Sequence, residues 1–360
     1  MSSQELSLVL KIGYFIGHTP LPTKIKERTR RRRMYHIVLY GLLIFGLVIA
    51  VIYKRFYTNV SYIKMALALL SQLCIHSLSF YSMVVMNLFK KRSWERLLNS
   101  LNSTSHLIRS HEKSTVPLNF IVILLNLLHL ATSSCVVYIL CKNNIADYLS
   151  KNLIFHVEIY LQFFHKLLFY VIVNMILSRY RGLRNLLLDH AKATDKQTLH
   201  LVFIKRVEYT MRLLKQTVDI FNSMFAWPNF FLMSASVLTA LSVIDYTLFR
   251  NNQINMYEGI SIILIFLGWN LFGTFILILQ YDSVLQEAEN IVSLSHDLRW
   301  SFEGKVLEEL KLEEFSNFLI KNLPTFTAAG MFQISRRTIL KMVKTIVTFL
   351  IVVIQFGIQE

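Results

Sequence analysis

The chain has 360 residues, of which 54% are hydrophobic and only 17% charged, against about 25% charged in an ordinary soluble domain. The apolar residues fall in uninterrupted blocks longer than a globular helix needs, which excludes a soluble single-core protein and makes the bilayer the implied solvent. The formal charge of +16 would suit nucleic acid, but the basic residues flank the apolar blocks, so no nucleic-acid partner is expected.

In chain order, a basic amino-terminal segment, 1–34, comes first. Its short apolar stretch, 6–17, is broken by Lys11 and followed by the basic run, so it does not read as a cleavable signal peptide. Apolar runs then cover 35–53, 62–89, 117–141, 152–177, 221–249, 258–281 and about 339–356. Each is long enough to span a bilayer, where backbone amides have no water and must bond within a helix. The predicted fold is an all-α membrane protein with seven transmembrane helices.

Lys and Arg are retained on the cytoplasmic side during insertion. Twenty-three of them lie before the first run and in the second and fourth connections, against six in the alternate connections. The amino terminus is therefore predicted cytoplasmic and the carboxyl terminus extracellular. The sequon Asn59-Val60-Ser61 falls on the predicted outer side, while Asn102-Ser103-Thr104 falls inside and should stay bare. Seven spans also suggest a G-protein-coupled receptor, but that class has an external amino terminus. The Arg179-Tyr180 pair ends the fourth span instead of the third, and no Asn-Pro-x-x-Tyr occurs in the last. A secondary transporter would show two related halves with broken helices, and none is visible.

The outer connections are short, so an external ligand must enter between helices. Two inner connections keep a helical period beyond the membrane: Leu199, Val202, Phe203, Val207, Leu214, Val218 and Phe221 in one, Tyr281, Val284, Leu285, Ala288, Ile291 and Val292 in the other. Such stripes pack either within one chain or between chains. A further helix near 303–321 opposes Glu308, Glu309, Glu313 and Glu314 to leucines and phenylalanines and stops at Pro324. Its glutamates read either as a solvated face or as partners for Arg336, Arg337 and Lys341. The implied division is a segment 1–34, a six-helix bundle 35–281 with extensions at 179–220, anchor helices 282–333, and a last helix 334–360.

No nucleotide-binding, zinc-protease or hydrolase motif occurs, and the histidines are dispersed, so neither an enzyme nor a cofactor is expected. His76 and His129 sit singly in separate spans and read as structural. Charges within spans are costly. Glu158 and Asp245 lie near the predicted outer ends, where snorkelling suffices; Lys166 is deeper, and its partner is open. Candidates to line an outer-half ligand pocket are Gln72, His76, Ser133, Tyr160, Tyr246 and Trp269, a set that suits sugars and flat apolar compounds alike.

In the last run, Arg337, Lys341, Lys344, Thr348, Ile351, Gln355 and Gln359 fall within about 40° of one line at 100° per residue. A polar stripe through a bilayer wants either water or neighbouring helices to bond, and one copy cannot enclose a pore, so a channel needs several copies around an axis. The stretch from Thr348 through Phe349 and five further apolar residues to Gln355 and Phe356 closely resembles the signature of insect gustatory receptors, with Phe349 in the place of their tyrosine. The resemblance extends to Ala329-Gly330-Met331-Phe332 and to Gly13-Tyr14-Phe15-Ile16-Gly17 with Pro20.

That resemblance implies a tastant-gated, non-selective cation channel in the plasma membrane of a chemosensory neuron, in dendrite, axon and cell body. It implies a homotetramer, or a heteromer with related subunits, surrounded by membrane lipid. The acidic helix would join a cytoplasmic anchor domain. Thr348, Ile351, Val352, Gln355 and Phe356 would line or gate the pore, with Lys341 and Lys344 at its inner mouth.

Overall fold

The computed structural model describes residues 5–17, 19–20, 34–35, 37–42, 44–45, 48, 62–108, 118–140, 145–193, 201–249, 256–301 and 306–357. Its helices are α1 (Glu5–Ile16), α2 (Tyr62–Phe80), α3 (Lys91–Ile108), α4 (Leu118–Leu140), α5 (Ile145–Ala193), α6 (Leu201–Phe249), α7 (Met256–Leu267), α8 (Gly273–Ser301), α9 (Val306–Lys321) and α10 (Arg336–Gly357). Five helices among the described residues are long and apolar enough to cross a membrane: Leu69–Leu88, Phe120–Ile139, His156–Lys192, Leu201–Ile244 and Leu264–Arg299. They match the second to sixth predicted spans. The first lies largely outside the described residues, as does Asn59-Val60-Ser61.

At 1.5 Å per residue, the 49 residues of α5 and of α6 run about 73 Å each, more than twice an apolar bilayer core of about 30 Å. Their surplus length packs within the chain. Val207, Leu214, Val218 and Phe221 of α6 and Tyr281, Val284, Ala288 and Ile291 of α8 are all buried, so most of both predicted stripes is covered intramolecularly; Val202 alone among the described members is strongly exposed. Polar pairs bridge α6 to α3, Ser100 to Thr217 at 2.6 Å, and α6 to α8, Ser236 to Thr274 at 2.7 Å and the Tyr281 hydroxyl to Asn229 Oδ1 at 2.8 Å. Within lipid, where the hydrophobic effect between helices contributes little, bonds like Ser236 to Thr274 help hold them together. By contrast Leu124, Leu127, Leu128 and Leu130 of α4 are exposed, as a lipid-facing surface requires.

The Gly13 to Pro20 segment has a physical basis. Gly17, at φ 87°, ends α1 in the left-handed conformation, and a Cβ on Gly13 would lie 2.8 Å from Thr19 Cγ2 and 3.2 Å from Phe164 Cε1. Asn87 Nδ2 donates to the Gly17 carbonyl at 2.7 Å, locking the segment to the end of the second span.

Two features depart from a purely regular helical reading. α2 and α7 each run into a five-residue π turn, Tyr81–Val85 and Gly268–Phe272. Between α9 and α10 a hairpin forms from β1 (Thr327–Ala328) and β2 (Phe332–Gln333) around Ala329 and Gly330, both at positive φ. Ala329 N–H donates to the Ala226 carbonyl at 2.7 Å, and Asn222 bonds both Thr325 and Thr327. The hairpin thus docks on α6 beside Pro228, whose missing N–H loosens the helix there.

The acidic helix does not neutralise the base of the last one. Glu309 and Glu313 of α9 each lie 3.1 Å from Arg299 of α8. Arg336 pairs instead with Asp282, because the hairpin carries the start of α10 to α8. Leu312, Phe315 and Leu319 are the buried side of α9.

Candidate ligand site and last helix

α4, α5 and the α7–α8 junction enclose an aromatic cluster. The His129 ring stacks on Phe163 at 4.3 Å and meets Trp269 edge-on at 5.1 Å and Tyr160 at 5.8 Å. The hydrogen bonds fix these rings: Trp269 Nε1 donates to Thr132 Oγ1 at 2.8 Å, and the Tyr160 hydroxyl to Asn126 Oδ1 at 3.1 Å. A cavity of about 20 Å³ lies beside them, lined by His129, Ser133, Val136, His156, Ile159, Ile265, Phe266, Trp269 and Asn270. That volume holds about one water, so a larger ligand must spread the walls.

Lys166 stands behind this site, 5% exposed. Its ammonium donates to the Asn270 carbonyl at 2.8 Å, to Asn270 Oδ1 at 3.2 Å and to the Trp269 carbonyl at 3.3 Å. The π turn explains the arrangement: an inserted residue disturbs the i to i−4 ladder and turns carbonyls toward other donors. The other π turn is patched alike, Asn87 Nδ2 reaching the carbonyls of Ser82 and Met83.

Of the six predicted pocket residues, Ser133 and Trp269 line the cavity and Tyr160 stands in its aromatic wall. Gln72 and His76 belong to a different group: Gln72 Nε2 donates to Glu158 Oε2 at 2.8 Å, and His76 Nδ1 lies 3.1 Å from Glu158 Oε1. Glu158 is fully buried, so it does not snorkel; partners one helix away hold the carboxylate inside the bundle. The side chains of Tyr246 and Asp245 lie outside the described residues. Sequence reasoning missed His129, Asn270, Asn126 and Phe163 as parts of the site. The polar run Asn126, His129, Thr132, Ser133 at spacings of three and four along apolar α4 was the signal that could have found the first and third of these, His129 and Asn126, whereas Asn270 and Phe163 join the site only through packing.

Along α10, Arg337, Lys341, Lys344, Thr348, Ile351 and Gln355 are all exposed, while Thr338, Met342 and Ile346 are buried. The polar line therefore turns away from the chain's own helices. Val352 is exposed too; the side chain of Phe356, and Gln359, lie outside the described residues. Arg179 is buried and donates to the carbonyls of Leu101 at 3.1 Å and Met175 at 2.6 Å.

The sequence matches the 7tm Chemosensory receptor family over residues 6–360, and the chain belongs to that membrane-spanning family of insect odorant and gustatory receptors. The fold is similar to that of the olfactory receptor OR5 of Machilis hrabei. In complex with eugenol, that protein aligns with a TM-score of 0.69 at 13% identity, over 98% of each chain; a second structure of the same receptor gives 0.65 at the same identity and coverage. No curated protein matches the sequence. Neither the G-protein-coupled nor the transporter reading finds support in the family or the fold.

Proposed function

We propose that this chain is a gustatory receptor acting as a ligand-gated, non-selective cation channel. A small-molecule tastant is held in the outer half of the helix bundle, and α10 lines a central pore. The carrying observation is the bare polar edge of α10, from Arg337 to Gln355. A polar edge at membrane depth wants water, and one copy cannot enclose it, so four copies around an axis supply the wall.

In that ring Gln355 and Phe356 form the constriction, which shuts by dewetting. Thr348, Ile351 and Val352 lie below it, and Lys341 and Lys344 ring the inner mouth. The gustatory assignment within the family is supported by the stretch from Thr348 to Phe356. The cluster around His129 and Trp269 is the ligand site, and a ligand that binds a widened cavity more tightly than the closed one shifts the population toward it. The eugenol complex of the Machilis receptor supports a small organic ligand. The setting is the plasma membrane of a chemosensory neuron, amino terminus inside, as a homotetramer or a heteromer with related subunits.

The test is a compound screen on excised inside-out patches from cells expressing this chain, without GTP. Cation current that follows ligand addition, and that Gln355→Ala alters, supports the reading. Responses that vanish on excision and return with GTP overturn it.

A further inference from the structure

The cavity carries two polar atoms with no partner among the described residues: Asn270 Nδ2 and His129 Nε2. Both side chains are buried, Asn270 at 3% and His129 at 2% exposure. An orphan of this kind costs about 1–3 kcal/mol until something bonds it.

Lys166 fixes which end of the Asn270 amide is free. An ammonium only donates, so Oδ1, 3.2 Å from Nζ, is the end turned toward Lys166, and the NH2 group is the end without a partner. The three ammonium hydrogens have three acceptors, Oδ1 and the carbonyls of Asn270 and Trp269. Lys166 thus has no donor left for a ligand and acts as a positioning residue, drawing electron density toward Oδ1 and making the NH2 a stronger donor.

The other walls narrow the ligand further. Val136, Ile159, Ile265, Phe266 and Trp269 present apolar and aromatic surface. No carboxylate lines the cavity among the described residues, and that of Glu158 is taken up by Gln72 and His76. An ammonium ligand would find no counter-charge and would face Lys166 across a single amide. A sugar would bring more hydroxyls than the polar side chains of the lining, His129, Ser133, His156 and Asn270, can pair within an otherwise apolar wall, and each one left unpaired is costly.

We propose that this cavity takes a flat, apolar, uncharged ligand bearing one hydrogen-bond-accepting oxygen, such as an aryl carbonyl compound, that the Asn270 amide donates to that oxygen, and that amines and sugars are refused. The inference rests on the reading above that this cavity is the ligand site.

The experiment is titration calorimetry on the purified full chain in nanodiscs. The probes are acetophenone, α-methylstyrene, which has the same shape with CH2 for the oxygen, protonated 1-phenylethylamine, and glucose. Acetophenone should bind about tenfold tighter than α-methylstyrene, the worth of one donor otherwise left unsatisfied, and the amine and glucose should not bind. Asn270→Asp keeps a partner for Lys166 and turns the free end into an acceptor, so it should abolish the preference for the ketone and admit the amine. The isostere comparison needs only the unmodified chain, so a poorly folding variant leaves the test intact.

Equal affinity for the two isosteres, amine or glucose binding as tight as the ketone's, or no binding by any probe overturns the inference. Ketone preference without current in patches keeps it and removes the channel reading. Currents evoked equally by both isosteres do the reverse.

Discussion

Asp282 Oδ2 lies 2.5 Å from Arg336 Nε, and Asp282 Oδ1 accepts the Arg336 backbone N–H at 3.3 Å. Arg336 is the first residue of α10, so the carboxylate also caps that helix from outside, where a negative charge complements the helix dipole. Asp282 stands on the helical run that carries Trp269 and Asn270. One ion pair therefore ties the run bearing the ligand cluster to the base of the helix with the bare polar edge. Arg336 is 60% exposed, so the pair adds less than about 1 kcal/mol of stability; its weight is geometric.

If that tie transmits ligand binding, Asp282→Asn should shift the half-activating concentration by about threefold, equivalent to roughly 0.6 kcal/mol. The folded protein should remain intact. The exchanged pair Asp282→Arg with Arg336→Asp should recover most of the shift. Concentration–response curves in patches check this, and unchanged curves in both variants would disconnect the two helices.

Positive rings repel cations. Lys344→Gln should therefore raise single-channel cation conductance by about twofold, and Gln355→Ala should raise unliganded current by thinning the constriction. Noise analysis of patches without agonist measures both. A Lys344→Gln channel of unchanged conductance places that residue away from the ion path.

Gly13→Ala should destabilise the protein by about 1–3 kcal/mol, the usual cost of forcing a methyl into a packed core. The new Cβ meets Thr19 at 2.8 and 2.9 Å and Phe164 at 3.2 Å. Thr19→Ala in the same chain removes the two closest atoms and should return part of the loss, less the Thr19 bond to the Leu10 carbonyl. Thermal unfolding of the purified variants separates these outcomes.

Glu158→Leu leaves Gln72 and His76 facing an apolar group and should cost about 1–3 kcal/mol. Glu158→Gln keeps an acceptor between them and should cost less than half as much. Detergent-resistance assays rank the two, and equal losses would mean that charge, not hydrogen bonding, holds the group.

Spans two to six are legible because apolar length is a property of the sequence alone, and so is the polar line of α10, a matter of helical period. Glu158 misleads because its distance along the chain from the membrane surface is readable, whereas Gln72 and His76 reach it only through packing of α2 on α5. The mate of the acidic helix escapes for a related reason: Arg336 follows it on the next helix, but the packing of α9 on α8 brings Arg299 opposite Glu309 and Glu313, and the hairpin at Thr327 to Gln333 carries Arg336 to Asp282. Lys166 stands out as the deeper of two charges in its span, yet two of its three acceptors are backbone carbonyls at a π turn, which no residue pattern announces. The same holds for Asn270, whose role depends on which end of its amide Lys166 occupies.

The π turn at Gly268–Phe272 puts one residue more into the helix than its ladder requires. Such a surplus can be handed along by exchanging one backbone bond for the next, and each step swivels the stretch it crosses by about 100° while the rod stays whole. Side chains facing one neighbour would then face another, with no hinge, no break and no lengthening of the segment. Lys166, bonded to the carbonyls of Trp269 and Asn270 inside the turn, clasps the chain at the place where that spare residue rests.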